Sequence, residues 1–137
     1  MNYLILNSLE CISPNNPGGD ACTLYVTSGT TRQLSIPFTN TFKRGVKQNI
    51  NVSLAVSKNA SSLVVDLVTL ISAFPGHPLY QMVGVFKLNA SPSNPSAPFD
   101  ISPIKASLQL PRGARSRGRY LLWYAVAEQL TPVPPVP

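Results

Sequence analysis

The residues that most constrain this chain are Asn49 to Val56, where Ile50, Val52, Leu54 and Val56 alternate with Asn51, Ser53 and Ala55. A period of two puts the aliphatic set on one side of an extended backbone and the other set opposite it, whereas a helix would scatter both around its circumference. The segment reads as a half-buried β-strand. Further strands are expected at Tyr3 to Leu6, Thr23 to Thr27, Gln33 to Phe38, Leu79 to Leu88, Ile104 to Leu110 and Tyr120 to Ala127, each rich in β-branched or aromatic residues and bounded by turn formers. Ser61 to Phe74 carries a double pattern. Leu63, Val64, Leu67, Val68, Leu70 and Ile71 fit one helical face, while the β-branched content and the stop at Pro75-Gly76 fit a buried strand, which is preferred. An eighth strand there completes two packed four-stranded sheets, as in a jelly roll; a helix would instead cross over the sandwich.

The expected fold is therefore all-β, an antiparallel two-sheet sandwich, jelly-roll-like with about eight strands. Its 137 residues have the length of one domain that buries its own core. That domain is placed at residues 1 to 130 and a Pro-rich tail at 131 to 137. The tail, Pro132-Val133-Pro134-Pro135-Val136-Pro137, cannot form a helix or donate ladder hydrogen bonds at its prolines, so it either hangs free or lies across a neighbour as an arm. Ser91 to Pro98 is also expected to be irregular. No apolar run is long enough to span a membrane, and none is expected.

Only 12% of residues are charged, so solubility rests on the many Ser, Thr and Asn side chains. That texture suits secreted domains and capsid or phage structural proteins better than cytosolic enzymes. Acid–base and nucleophilic catalysis need His, Cys or paired carboxylates within hydrogen-bond reach, and the supply is thin. The single histidine, His77, is expected exposed in a proline-flanked turn, and Glu10, Asp20, Asp66, Asp100 and Glu128 are isolated from one another in sequence. No catalytic residue, metal site or cofactor is expected. Asp66, set among Val64, Val65, Leu67 and Val68, either lines a solvent face or is buried with a partner. Cys11 and Cys22, the only cysteines, can close a disulfide across the intervening Pro- and Gly-rich loop or stay reduced. Three matches to the N-glycosylation pattern, at Asn51, Asn59 and Asn89, are expected by chance in a chain so rich in Asn and Ser.

The excess of 11 Lys and Arg over 5 Asp and Glu is concentrated at Arg112, Arg115, Arg117 and Arg119, in a loop joining two good strands. Four guanidinium groups there can grip phosphates, acidic glycans or an acidic surface on a neighbouring subunit, or can serve solubility alone. No aromatic residue interleaves them, which counts against base stacking. On the strand that follows, Tyr120, Leu122, Tyr124 and Val126 face one way and Leu121, Trp123, Ala125 and Ala127 the other, so both faces are apolar and core packing is favoured over a binding face.

Gly29 to Phe38, GTTRQLSIPF, followed by an alternating strand, a Pro-Gly turn and a closing RGRYLLWYAV strand, resembles in texture the jelly-roll capsid proteins of small icosahedral RNA viruses, over residues 23 to 127. The chain is short for a full capsid subunit, which leaves a protruding domain or a decoration protein open. The resemblance implies self-association or attachment to other capsid subunits through sheet edges and tail, with the arginine loop facing RNA or a neighbour in the virion. The alternative is an extracellular β-sandwich module that recognises a glycan or protein through its loops.

Overall fold

A computed structural model describes residues 2–28, 31–57, 63–74, 76–110 and 117–128, with backbone alone at 31, 32, 71–74, 77 and 78. Eight strands form: β1 (Asn2–Ser13), β2 (Ala21–Ser28), β3 (Thr31–Pro37), β4 (Lys47–Val56), β5 (Leu63–Phe74), β6 (His77–Leu88), β7 (Ile104–Ser107) and β8 (Arg119–Ala127). They build two antiparallel four-stranded sheets, β4-β1-β8-β7 and β3-β2-β5-β6. This is the two-sheet sandwich expected from the alternation, and the ambiguous stretch is strand β5. The first and last strands lie side by side in one sheet. β2 neighbours β3 and β5, so β1 to β4 make a Greek key that straddles the sheets and returns β4 to the side of β1.

Two strands run differently from their sequence pattern, each for a local reason. β1 continues well past Leu6 because Asn7 is an extra residue opposite β8, where Leu6 pairs Tyr124 but Ser8 pairs Trp123; opposite β4 it faces two residues, Ile50 and Asn51, since Leu6 pairs Val52 and Ser8 pairs Asn49. The bulge shifts the inward set from Leu4 and Leu6 to Leu9 and Cys11, breaking strict alternation without ending the strand. On β4 the same irregularity puts Asn51 at φ 53°, a left-handed conformation that Asn tolerates better than most residues. β7 stops at Ser107 rather than Leu110 because the chain then changes sheets: Leu108 N still donates to Tyr120 O of β8, while Gln109 bridges Val85 of β6.

Leu4, Leu6 and Leu9 of β1 and Tyr120, Leu122 and Val126 of β8 face Leu24 and Val26 of β2, Leu63, Val65 and Leu67 of β5 and Phe86 of β6 across the interior. β8 is covered on both sides, as its two apolar faces require. Its outward Trp123 is half-buried, with Lys47 Nζ 4.2 Å and Lys105 Nζ 5.6 Å from the ring and its Nε1 donating to Glu10 Oε1 at 3.2 Å. One end of the core is closed by Phe42 from the β3–β4 connection, edge-on to Phe38 at 4.9 Å and to Tyr120 at 5.8 Å.

Candidate functional site

Because every neighbouring pair is antiparallel, the β1–β2, β3–β4, β5–β6 and β7–β8 connections gather at one end of the sandwich. A buried aspartate holds three of them together. Asp20 is fully buried; its Oδ2 accepts from Asn15 N at 2.7 Å and from the Tyr120 hydroxyl, and its Oδ1 accepts from Asn16 N and Nδ2, both at 2.9 Å. Four donors on one carboxylate satisfy a charge that would otherwise be costly to bury. The backbone of Asp20 exchanges hydrogen bonds with Phe42, and Arg117 N donates to Asn15 Oδ1 at 2.9 Å, so three connections share one anchor.

A groove of about 550 Å³ shares Arg117 with these loops and is lined by Ile12, Ser13, Arg44, Leu110, Arg117 and Arg119. A second hollow of about 510 Å³ runs from Ser13 over Gly19 to Lys43 and Arg44, and a third of about 440 Å³ runs from Ser13 over Asn15 to Gln81 and Arg117. Of the expected arginines, Arg117 and Arg119 stand in this groove, both exposed, while Arg112 and Arg115 lie outside the described residues. Lys43 and Arg44 escaped the sequence reading. Their signal was a basic doublet before Gly45, a turn glycine at φ 82°, but only the fold brings that doublet beside the arginine loop.

A second surface was also missed. β6 ends its sheet, and among the described residues its outer edge is met only at Val85 by Gln109. Leu79, Tyr80 and Met82 on that strand are exposed by 54%, 56% and 44%. Tyr80 and Met82 pair Leu70 and Val68 of β5, so an apolar patch continues onto the outer face.

His77 is the first residue of β6 and pairs with Phe74 of β5, so its backbone sits in a ladder rather than in a loop. Asp66 is half-buried on the outer face, at the register of Tyr25 and Val85. Of the two states open to the cysteines, the structure holds the reduced one: Cys11 and Cys22 are free and buried. Burial is the main cause that pushes both thiols up, Cys22 to about 12, and it also raises the Tyr120 phenol, whose hydroxyl lies 3.7 Å from Cys22 Sγ. Neutral and enclosed, these groups serve packing. Among the described residues no three His, Cys, Asp or Glu side chains converge as metal ligands, and no helix is long and apolar enough to cross a membrane. The tail at 131 to 137 and the acceptor pattern at Asn59 lie outside the described residues.

Fold and surfaces together define a two-sheet β-sandwich with one basic end and one open apolar edge. No protein-family model and no curated protein matches the chain.

Proposed function

We propose that the protein is a structural β-sandwich that acts by assembly, as a capsid, protruding or decoration component of a viral or phage particle. The observation that carries this reading is the contrast between β6 and the other three sheet edges. An exposed edge presents unpaired backbone groups to any passing strand, and folded proteins blunt it with charge, proline, bulges or brevity. β3 ends at an exposed Pro37, β4 carries exposed Lys47 and the left-handed Asn51, and β7 is four residues long with an exposed Lys105. β6 has twelve residues; its proline, Pro78, stands near its start and its one extra residue against β5, Val83, lies after Met82, so the contrast rests on length and on the uncharged stretch from Leu79 to Met82. Its exposed Lys87 lies beyond the Gln109 bridge, and ahead of that bridge it offers Leu79, Tyr80 and Met82.

A second copy of the chain suits this edge because an isologous contact sets every group against itself, so an edge without charge carries no like-charge penalty. Side-chain burial at such a contact contributes about 1.5–3 kcal/mol for each large apolar residue fully covered. Light scattering on the purified chain, at low and high salt and rising concentration, is expected to give a defined oligomer. Met82→Lys should return it to a monomer with an unchanged urea midpoint. A wild-type chain that stays monomeric at every concentration overturns the assembly reading in favour of the extracellular module, which needs a ligand rather than a copy of itself.

A further inference from the structure

We propose that the groove at the basic end is a binding site for single-stranded nucleic acid, gripped through its phosphates without regard to base sequence. This goes beyond assembly and uses a different surface. Arg44 arrives from the β3–β4 connection, Arg117 from the β7–β8 connection and Arg119 from the start of β8, yet all three line one groove. Cations brought together in this way repel one another, and a site that concentrates them gains when an anion enters. Guanidinium groups match phosphate oxygens with two parallel N–H donors.

The two acids toward this end are already committed. Asp20 is buried under four hydrogen bonds and Glu10 accepts from Trp123 Nε1. Among the described residues neither Arg44 nor Arg119 is engaged in an ion pair. The wall is held in place beforehand, because Arg117 N is bonded to Asn15, whose own N and Nδ2 are bonded to Asp20 and Gln81. Less ordering is then required on binding.

The groove is also amphipathic, and this selects among polyanions. Ile12 and Leu110 flank the arginines with 42% and 47% of their surface exposed. A nucleic-acid strand presents charged phosphates together with the flat apolar faces of ribose and base, and can satisfy both kinds of lining. A sulfated glycan carries hydroxyls and charge along its whole length and has less to offer the two aliphatic side chains. Among the described residues no aromatic side chain lines the groove, so binding rests on phosphates and depends steeply on salt.

The test is fluorescence anisotropy of the full chain with a labelled oligouridylate about 20 nucleotides long, between about 50 and 200 mM salt. Wild type is expected to bind, with affinity falling as salt rises. Combining Arg44→Ser, Arg117→Ser and Arg119→Ser should weaken binding at low salt by about tenfold or more and reduce the log–log salt slope by about 2, since each phosphate neutralised on a single strand contributes about 0.7. Arg44→Ser alone, an exposed position outside the arginine-rich loop, should weaken binding several-fold and keeps the test intact if the triple variant does not fold. Leu110→Ser should weaken oligouridylate binding while leaving the slope unchanged. The proposal is overturned by a wild-type chain that does not bind oligouridylate at low salt, or by a folded Arg44→Ser chain with unchanged affinity and slope. A heparin-like glycan that displaces the oligonucleotide and binds more tightly, with no response to Leu110→Ser, overturns it in favour of a glycan site. Met82→Lys lies outside the groove and should leave oligonucleotide affinity within about twofold, so assembly and nucleic-acid binding fail separately.

Discussion

Asp20 is the residue on which the loop end of the sandwich turns. Its carboxylate collects two backbone N–H groups, an Asn16 amide and the Tyr120 hydroxyl in a site without solvent contact. Removing an acceptor of this kind strands its donors, and each buried orphan costs about 1–3 kcal/mol. Asp20→Ala is therefore expected to cost about 2–4 kcal/mol in urea unfolding, and Tyr120→Phe, which removes one donor and leaves three, about 1–2 kcal/mol. A change below about 0.5 kcal/mol for Asp20→Ala, in the range of ordinary surface substitutions, would show that the anchor does not hold the loops. From sequence alone Asp20 was an isolated acid in a Pro- and Gly-rich loop. Its four partners include Tyr120, whose place beside it is a fact of tertiary structure.

At the scale of elements, the strands that were readable are those whose alternation is unbroken, such as β4 with Ile50, Val52 and Leu54 half-buried on one side. Only half of β1 was visible because the extra Asn7 reverses which parity faces inward. β7 and β6 are joined by a close approach that only glycine permits: a Cβ on Gly84 would lie 2.6 Å from Gln109 O and 2.8 Å from Leu108 Cγ. Gly84→Ala should thus push the chain after β7 away from β6, at a cost of about 1–3 kcal/mol. Amide exchange at Val85 and Gln109, which donate to each other's carbonyls at 2.9 and 2.8 Å, should accelerate with it. Exchange that stays as slow as in the wild type would mean that the neighbours of Gly84 yield without breaking the bridge.

The whole molecule carries a pH dependence through its neutral core. Cys11, Cys22 and Tyr120 all have raised pKa values in the fold, Cys22 from 9.0 to about 12, chiefly because burial disfavours their ions. On raising the pH, an unfolded thiol releases its proton near 9 while the folded one keeps it, so the unfolded state binds fewer protons and stability falls. The contribution is complete below about pH 9 and declines toward pH 12 by at most about 1.4 kcal/mol per pH unit for each group. Urea midpoints measured from neutral pH to pH 10.5 should decline above pH 9, and Cys22→Ala should flatten that decline relative to its own value at neutral pH. An equally steep decline in the variant would assign the effect to other groups.

What the sequence by itself determined is the class of fold and the rough number of strands, because side-chain alternation along an extended backbone is a local property that needs no knowledge of the partner strand. It also marked the arginine-rich loop, since charges close in sequence remain close in space. Only the tertiary structure decided which strands are neighbours, that Arg44 lines one groove with Arg117 and Arg119, and that β6 is left at an edge with Leu79, Tyr80 and Met82 uncovered. Those outcomes depend on pairings between segments far apart along the chain. Local pattern says how a strand faces its sheet, but not which strand lies beside it.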